Sequence, residues 1–230
     1  MARIARAVVP NLPHHITQRG NRRQQTFFTP GDYALYVELM AKWCRRCRVD
    51  IWAYCLMPNH VHLIAVPSTT HGLSKAIGEA HRQYTCEVNR REGWTGYLWQ
   101  GRFASFAMDD RHTIAAARYV ELNPVRAGIV QRPAQYLWSS ARAHLARRND
   151  ALVVTQPLLA RVPDWSGLLR SGSALDVPDH WRRHEKTGRP IGTDEFVDSV
   201  EARLGRTFKP RRRGRPKRGV SDELRIVSPN

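Results

Sequence analysis

Residues 49–56 (VDIWAYCL) and 60–66 (HVHLIAV) are two apolar runs parted only by Met57-Pro58-Asn59. That pair narrows the fold more than any other feature of the sequence. Runs of this length, rich in β-branched and aromatic residues and bounded by turn formers, read as strands, and two so close together read as antiparallel neighbours. On either side the pattern becomes helical. Thr29-Pro30 is a helix start, a hydroxyl N-cap followed by proline at the first helical position. That helix is predicted to run to about Cys47, with Tyr33, Tyr36, Val37, Met40 and Trp43 as its apolar positions. Leu73, Ile77, Ala80, Tyr84 and Val88 recur at three- and four-residue spacing and predict a second helix from Leu73 to Arg90. Residues 14–21 (HHITQRGN) predict a first strand that opens into a basic loop. Residues 97–107 predict a last strand and residues 113–122 a third helix. Strand, helix, strand, strand, helix, strand is the order of a ferredoxin-like α+β sandwich with a central antiparallel sheet.

Past residue 150 the pattern changes to short helical pieces, including 178–186 and 194–204, and then to a basic tail. The division expected is a main domain over 1–150, a helical extension over 151–205 and a basic tail over 206–230, disordered when free. Nine cations and no acid lie between Arg203 and Arg218. Over the whole chain 37 Lys and Arg face 20 Asp and Glu, a net charge of +17. Such a surface attracts phosphate backbones. Anionic membrane is the competing partner, but no apolar run nears the ~18 residues of a span. The start, MARIARAVVP, lacks the apolar stretch of a secretion signal. A cytoplasmic, nucleoid-associated protein with no membrane partner is expected. Cys44 and Cys47 form a single CxxC with no second pair. Reduced thiols are the reading there and a zinc knuckle the alternative.

On a strand alternate side chains share a face, so His60 and His62 point the same way with Val61 opposite. Two imidazoles on one face of a rigid strand make half of a metal site; two solvent-facing histidines are the alternative. Tyr119 and Asn123 stand four residues apart on the predicted third helix and share a face. A phenol attacks phosphorus when a cation makes the phosphate electrophilic, and the Asn123 amide oxygen is a candidate third ligand. Asn123-Pro124 also reads as the cap and first position of a new helical turn. His180 and His184, one turn apart, read as a solvated face.

These motifs carry a resemblance. MPNHVHLI (57–64) resembles the HUH metal motif of the IS200/IS605-like single-tyrosine transposases. RYVELNPVRAGIV (118–130) resembles the tyrosine motif of their chromosomal relatives, the REP-associated tyrosine transposases. PHHITQRGNRRQQTFF (13–28) and LWQGRFAS (98–105) are similar to the same group, in the same order. The resemblance implies that His60 and His62 bind a divalent metal, Mg2+ or Mn2+, and that Tyr119 attacks the scissile phosphate to give a 5′-phosphotyrosine and a free 3′-OH. Asn123 departs from the wider group, which often has a longer amide, Gln, at the third ligand position. The partner implied is single-stranded or hairpin DNA, cut and rejoined without ATP. The C-terminal extension points to a monomer, with a dimer as the alternative.

Candidate DNA-binding residues are Arg19, Asn21, Arg22 and Arg23 in the first loop, Trp99, Gln100 and Arg102 near the last strand, and Arg126 after the tyrosine. Trp99 and Arg102 are expected to stack on unpaired bases, with a core aromatic as the alternative for Trp99. Arg213-Gly214-Arg215-Pro216-Lys217 resembles an AT-hook for the narrow minor groove; a general phosphate-binding tail is the alternative. Two rival functions remain open. One is a non-catalytic hairpin-binding protein derived from a transposase. The other is a zinc hydrolase, which the lack of any Asp or Glu from Ile51 to Gly78 disfavours.

Overall fold

The computed structural model describes residues 6–171 and 179–209. Its sheet has four strands, β1 (His14–Arg19), β2 (Val49–Met57), β3 (His60–Pro67) and β4 (Ala104–Ala107), in the order β2-β3-β1-β4. All neighbours are antiparallel. Helices α1 (Pro30–Cys47) and α2 (Gly72–Glu92) cover one face, and α3 (Asp110–Arg126) covers the other. This is the ferredoxin-like α+β sandwich. With both faces covered, β2 and β3 bury side chains on both sides, which is why they read as unbroken apolar runs. Val61, Leu63 and Ala65 join the core under α1 and α2, whereas Ile64 joins the core under α3. A register shift between Ile51 and Ala53 switches β2 from one face to the other, so that Ala53, Cys55 and Met57 pack toward α3.

The predicted first helix is present with its predicted ends, and the second is longer, Gly72–Glu92 instead of 73–90. Asp32 accepts from the N–H groups of Phe28 and Thr29 at 2.7 and 2.9 Å, closing the first turn of α1. The α2 stripe of Leu73, Ile77, Ala80, Tyr84 and Val88 is fully buried. The predicted third helix is too short at both ends. It begins after the Asp109 cap, whose carboxylate accepts from His112 N–H at 2.8 Å, and continues through Asn123 and Pro124 to Arg126. Asn123 therefore caps nothing. Pro124 removes one helical hydrogen bond near the end of the helix, where its loss is least costly.

The predicted last strand is also corrected: only Ala104–Ala107 is strand, and residues 97–103 form a loop. Gly96 and Gly101 take left-handed conformations, φ 92° and 64°, that break an extended run. Between them Trp99 turns into the core under α1 and α2, 6% exposed, and stacks on His81 at 4.7 Å. Trp99 is thus packed as a core aromatic, the alternative reading of its sequence, and what remains exposed of it lines a smaller cleft with Arg102.

The remaining helices are α4 (Ala141–Leu145), α5 (Gln156–Arg161), α6 (Trp165–Arg170), α7 (Asp179–Thr187) and α8 (Asp194–Leu204), of which α5 and α6 pack into the core under α3. Leu56 N–H donates to Trp138 O and Ser140 N–H to Tyr54 O, while Val154 N–H reaches Ile51 O, so residues 138–154 line the outer side of β2. At the other edge Ile191 N–H donates to Ala107 O. An open strand edge is a template for aggregation, and these segments remove both. Among the described residues no helix is long and apolar enough to cross a membrane.

Two histidines in the fold have an acid-stability consequence. Burial pushes His14 down to about 4 and His81 down to about 3. The unfolded chain takes up these protons near pH 6.5, so below that pH the unfolded state binds more protons and stability falls; above it no penalty remains. Each histidine is expected to remove about 1.5 kcal/mol between pH 6.5 and 5. Urea unfolding at the two pH values measures this, and equal midpoints would contradict it.

Candidate active site in a basic cleft

The sheet order decides the site. Because β1 lies beside β3, Thr17 stands opposite His62 and Arg19 opposite His60, and directly opposed residues share a face. That face is the one α3 covers. His60 and His62 come together edge to face, ring centres 5.0 Å apart. Tyr119 meets His62 in the same way at 5.5 Å. The Arg126 guanidinium lies 4.9 Å from the centre of the Tyr119 ring. Trp181 of α7, buried in the second core, stands 6.5 Å from Tyr119 and 6.0 Å from His15. The extension thereby contributes a wall to the site.

Both strand histidines are held neutral by their surroundings. Burial, with Arg19 assisting, pushes His60 down to about 4. Burial pushes His62 well below its usual value, helped by His15, His60 and Arg19. Neutral imidazole is the form that binds metal. His60 Nδ1–H donates to Asn59 Oδ1 at 2.6 Å, and Asn59 Nδ2 donates in turn to Arg23 O at 3.1 Å, which fixes the amide with its oxygen toward the histidine. His60 Nε2 therefore keeps its lone pair. Asn123, one turn past Tyr119, is 9% exposed, and its Nδ2 has no hydrogen-bond partner. A buried amide left unpaired is costly, and a half-turn of the amide exchanges its N and O. His60 and His62 line the cleft, whereas Asn123 is not among its lining residues; two imidazole nitrogens with one amide oxygen would be a donor set suited to a divalent cation that keeps its other positions for water and phosphate oxygens. Among the described residues no group of three or more His, Cys, Asp or Glu could hold a metal. Cys44 is buried and its thiol is pushed up to about 12 by that burial.

His60 and His62 open into a cleft of about 1310 Å³. Arg19, Arg22, Arg23, Gln100 and Arg102 line it, so five candidate DNA-binding residues converge on the two histidines. Gly20 permits the tight loop, because a Cβ there would collide with the Gln24 carbonyl oxygen. Asn21 supports the loop through its backbone, donating to Leu98 O at 2.8 Å. Arg213 and Arg215 lie outside the described residues, as do the His180 side chain and the tail past residue 209. His184, read as part of a solvated face, instead donates from Nδ1 to Arg189 O at 2.8 Å and packs 5.8 Å from Phe106. Sequence reasoning missed His15, Thr17, Arg6 and Lys186 on or behind this cleft. Strand alternation alone could have found the first two, since His15, Thr17 and Arg19 share parity.

The family described as Transposase IS200 like matches residues 8–123, just over half of the chain. The chain belongs to this family. No curated protein matches the sequence. Among solved structures, this transposase is similar to a REP-associated tyrosine transposase bound to a REP hairpin. The match has 22% identity and a TM-score of 0.56, covering 67% of this chain and 92% of the other. A protein from Deinococcus radiodurans R1 described as a transposase matches at 19% identity and a TM-score of 0.37, covering 52% of this chain and 96% of the other. The first match bears out the fold.

Proposed function

We propose that this transposase is a metal-dependent single-stranded DNA endonuclease and strand transferase that acts at hairpin DNA through Tyr119. The observation that carries this is the packing of Tyr119 against His62, which with His60 lines a cleft rich in arginines. Arg19, Arg22, Arg23 and Arg102 hold the backbone of the incoming strand. His60, His62 and Asn123 would hold Mg2+ or Mn2+; when bound, the cation draws charge from a non-bridging oxygen of the scissile phosphate. Arg126 places a positive charge beside the tyrosine, where that phosphate must arrive. The Tyr119 oxygen bonds to phosphorus as the bond from phosphorus to the 3′ oxygen breaks. The phenol proton leaves for solvent, and the departing oxygen takes one up as a 3′-OH. Attack by another 3′-OH on the phosphotyrosine reverses these changes and joins two strands, so the bond energy is conserved. A REP-type palindrome is the proposed substrate class, a monomer the proposed state, and the nucleoid the proposed place of work.

The test is cleavage of an end-labelled single-stranded hairpin oligonucleotide by the purified full chain. Cleavage with Mn2+ or Mg2+ and none with EDTA is expected. Retained hairpin binding without cleavage under any divalent metal would favour the non-catalytic reading instead.

A further inference from the structure

A third histidine stands behind the two strand ligands. His15 of β1 is 1% exposed and lies nearly parallel to His62, ring centres 5.4 Å apart at an interplanar angle of 15°. His62 Nδ1 and His15 Nε2 are 3.3 Å apart. Phe106 closes the other side at 5.2 Å. The second nitrogen of His15, Nδ1, has no hydrogen-bond partner.

One proton serves the contact between the two rings. If His15 donates it from Nε2, neutral His62 carries its own proton on Nε2 and has no lone pair there for a cation. If His62 donates it from Nδ1, its Nε2 lone pair is free, and the proton of His15 sits on Nδ1. The two strand histidines differ in this respect. The partner of His60 is an amide oxygen, already oriented by Arg23, which can only accept. The partner of His62 is an imidazole, which can do either.

Resting on the proposed metal role of His60 and His62, we propose that His15 is a positioning residue for His62. It accepts the Nδ1 proton in the shared plane of the two nearly parallel rings and so keeps the Nε2 lone pair for the cation. Loading the site therefore sets both rings in the Nδ1–H tautomer. In this arrangement His15 Nε2 is committed to His62, and the proton of His15 sits on the buried Nδ1.

Two measurements test this on the full chain. The first is Mn2+ affinity by electron paramagnetic resonance for the wild type, His15→Gln and His15→Leu. Glutamine offers an amide oxygen to His62; leucine offers nothing. His15→Leu is expected to bind Mn2+ roughly 10–100-fold more weakly, His15→Gln to recover most of that loss, and metal-free hairpin binding to stay unchanged in both. The second is long-range 1H–15N correlation on the wild type with Mg2+ added, which reads the tautomers directly whether or not the leucine variant folds. His62 and His15 protonated on Nδ1 is the expected result. His62 protonated on Nε2 with Mg2+ bound, or a folded His15→Leu with wild-type Mn2+ affinity, overturns the role of His15 alone. A wild type that binds no Mn2+ overturns the metal reading and this inference together.

Discussion

Tyr119→Phe is expected to abolish cleavage of a single-stranded hairpin while leaving hairpin binding within about two-fold of the wild type. The substitution removes one oxygen. The ring keeps its edge-to-face contact with His62 and its place beside Arg126, since both are made by the aromatic carbons. Fold and cleft are thereby preserved, and the loss isolates the nucleophile. Removing a nucleophile costs on the order of 10⁴-fold or more in rate where nothing nearby replaces it. Single-turnover cleavage in Mn2+ by the two proteins, beside a binding titration in EDTA, measures both effects. A phenylalanine variant that cuts at the wild-type rate would move the nucleophile elsewhere.

Glu121→Ala is expected to be the most destabilising single change close to the site. Glu121 lies two residues past Tyr119 on α3, is fully buried, and accepts three hydrogen bonds: from Ser140 Oγ–H and His144 Nδ1–H at 2.6 Å each, and from Trp165 Nε1–H at 2.8 Å. His144 and Trp165 stack on each other at 4.5 Å. One carboxylate thus fastens the tyrosine's helix to α4 and α6. Alanine would leave two buried donors, His144 Nδ1–H and Trp165 Nε1–H, without an acceptor, each costing about 1–3 kcal/mol less whatever water enters, while Ser140 Oγ falls back on Tyr54 O at 3.3 Å. A total near 3–5 kcal/mol is expected, lowering the melting temperature by about 10 °C or more for a chain of this size. Cleavage should fall as well, because α3 sets the distance of Tyr119 from the histidines. Chemical unfolding of the variant measures the first effect, and a loss under 1 kcal/mol would contradict this account of the extension.

Much of this architecture was legible in the sequence because it rests on local chemistry. The apolar runs of β2 and β3 and the stripe of α2 follow from their own residues, and the parity of His60 and His62 follows from being a strand at all. What was hidden depends on which strands become neighbours. His15 is far from His62 in sequence and meets it only because β1 inserts between β3 and β4. Trp99 looked extended because YLWQGRFASFA is rich in strand formers, and the two left-handed glycines that fold it into the core carry no periodicity. Pro124 suggested a new helical turn, yet the helix absorbed it near its end. Trp181 and Lys186 reach the site from a segment with no motif of its own.

The central claim is that Tyr119, poised against His62, forms a covalent bond to DNA. The most direct measurement is to incubate the full chain and Mn2+ with a single-stranded hairpin oligonucleotide, denature and digest the mixture, and locate the nucleotide-bearing peptide by mass spectrometry. The account predicts a 5′-phosphonucleotide on the peptide containing Tyr119, absent in EDTA. Cleavage with no adduct, or an adduct on any other residue, would contradict it.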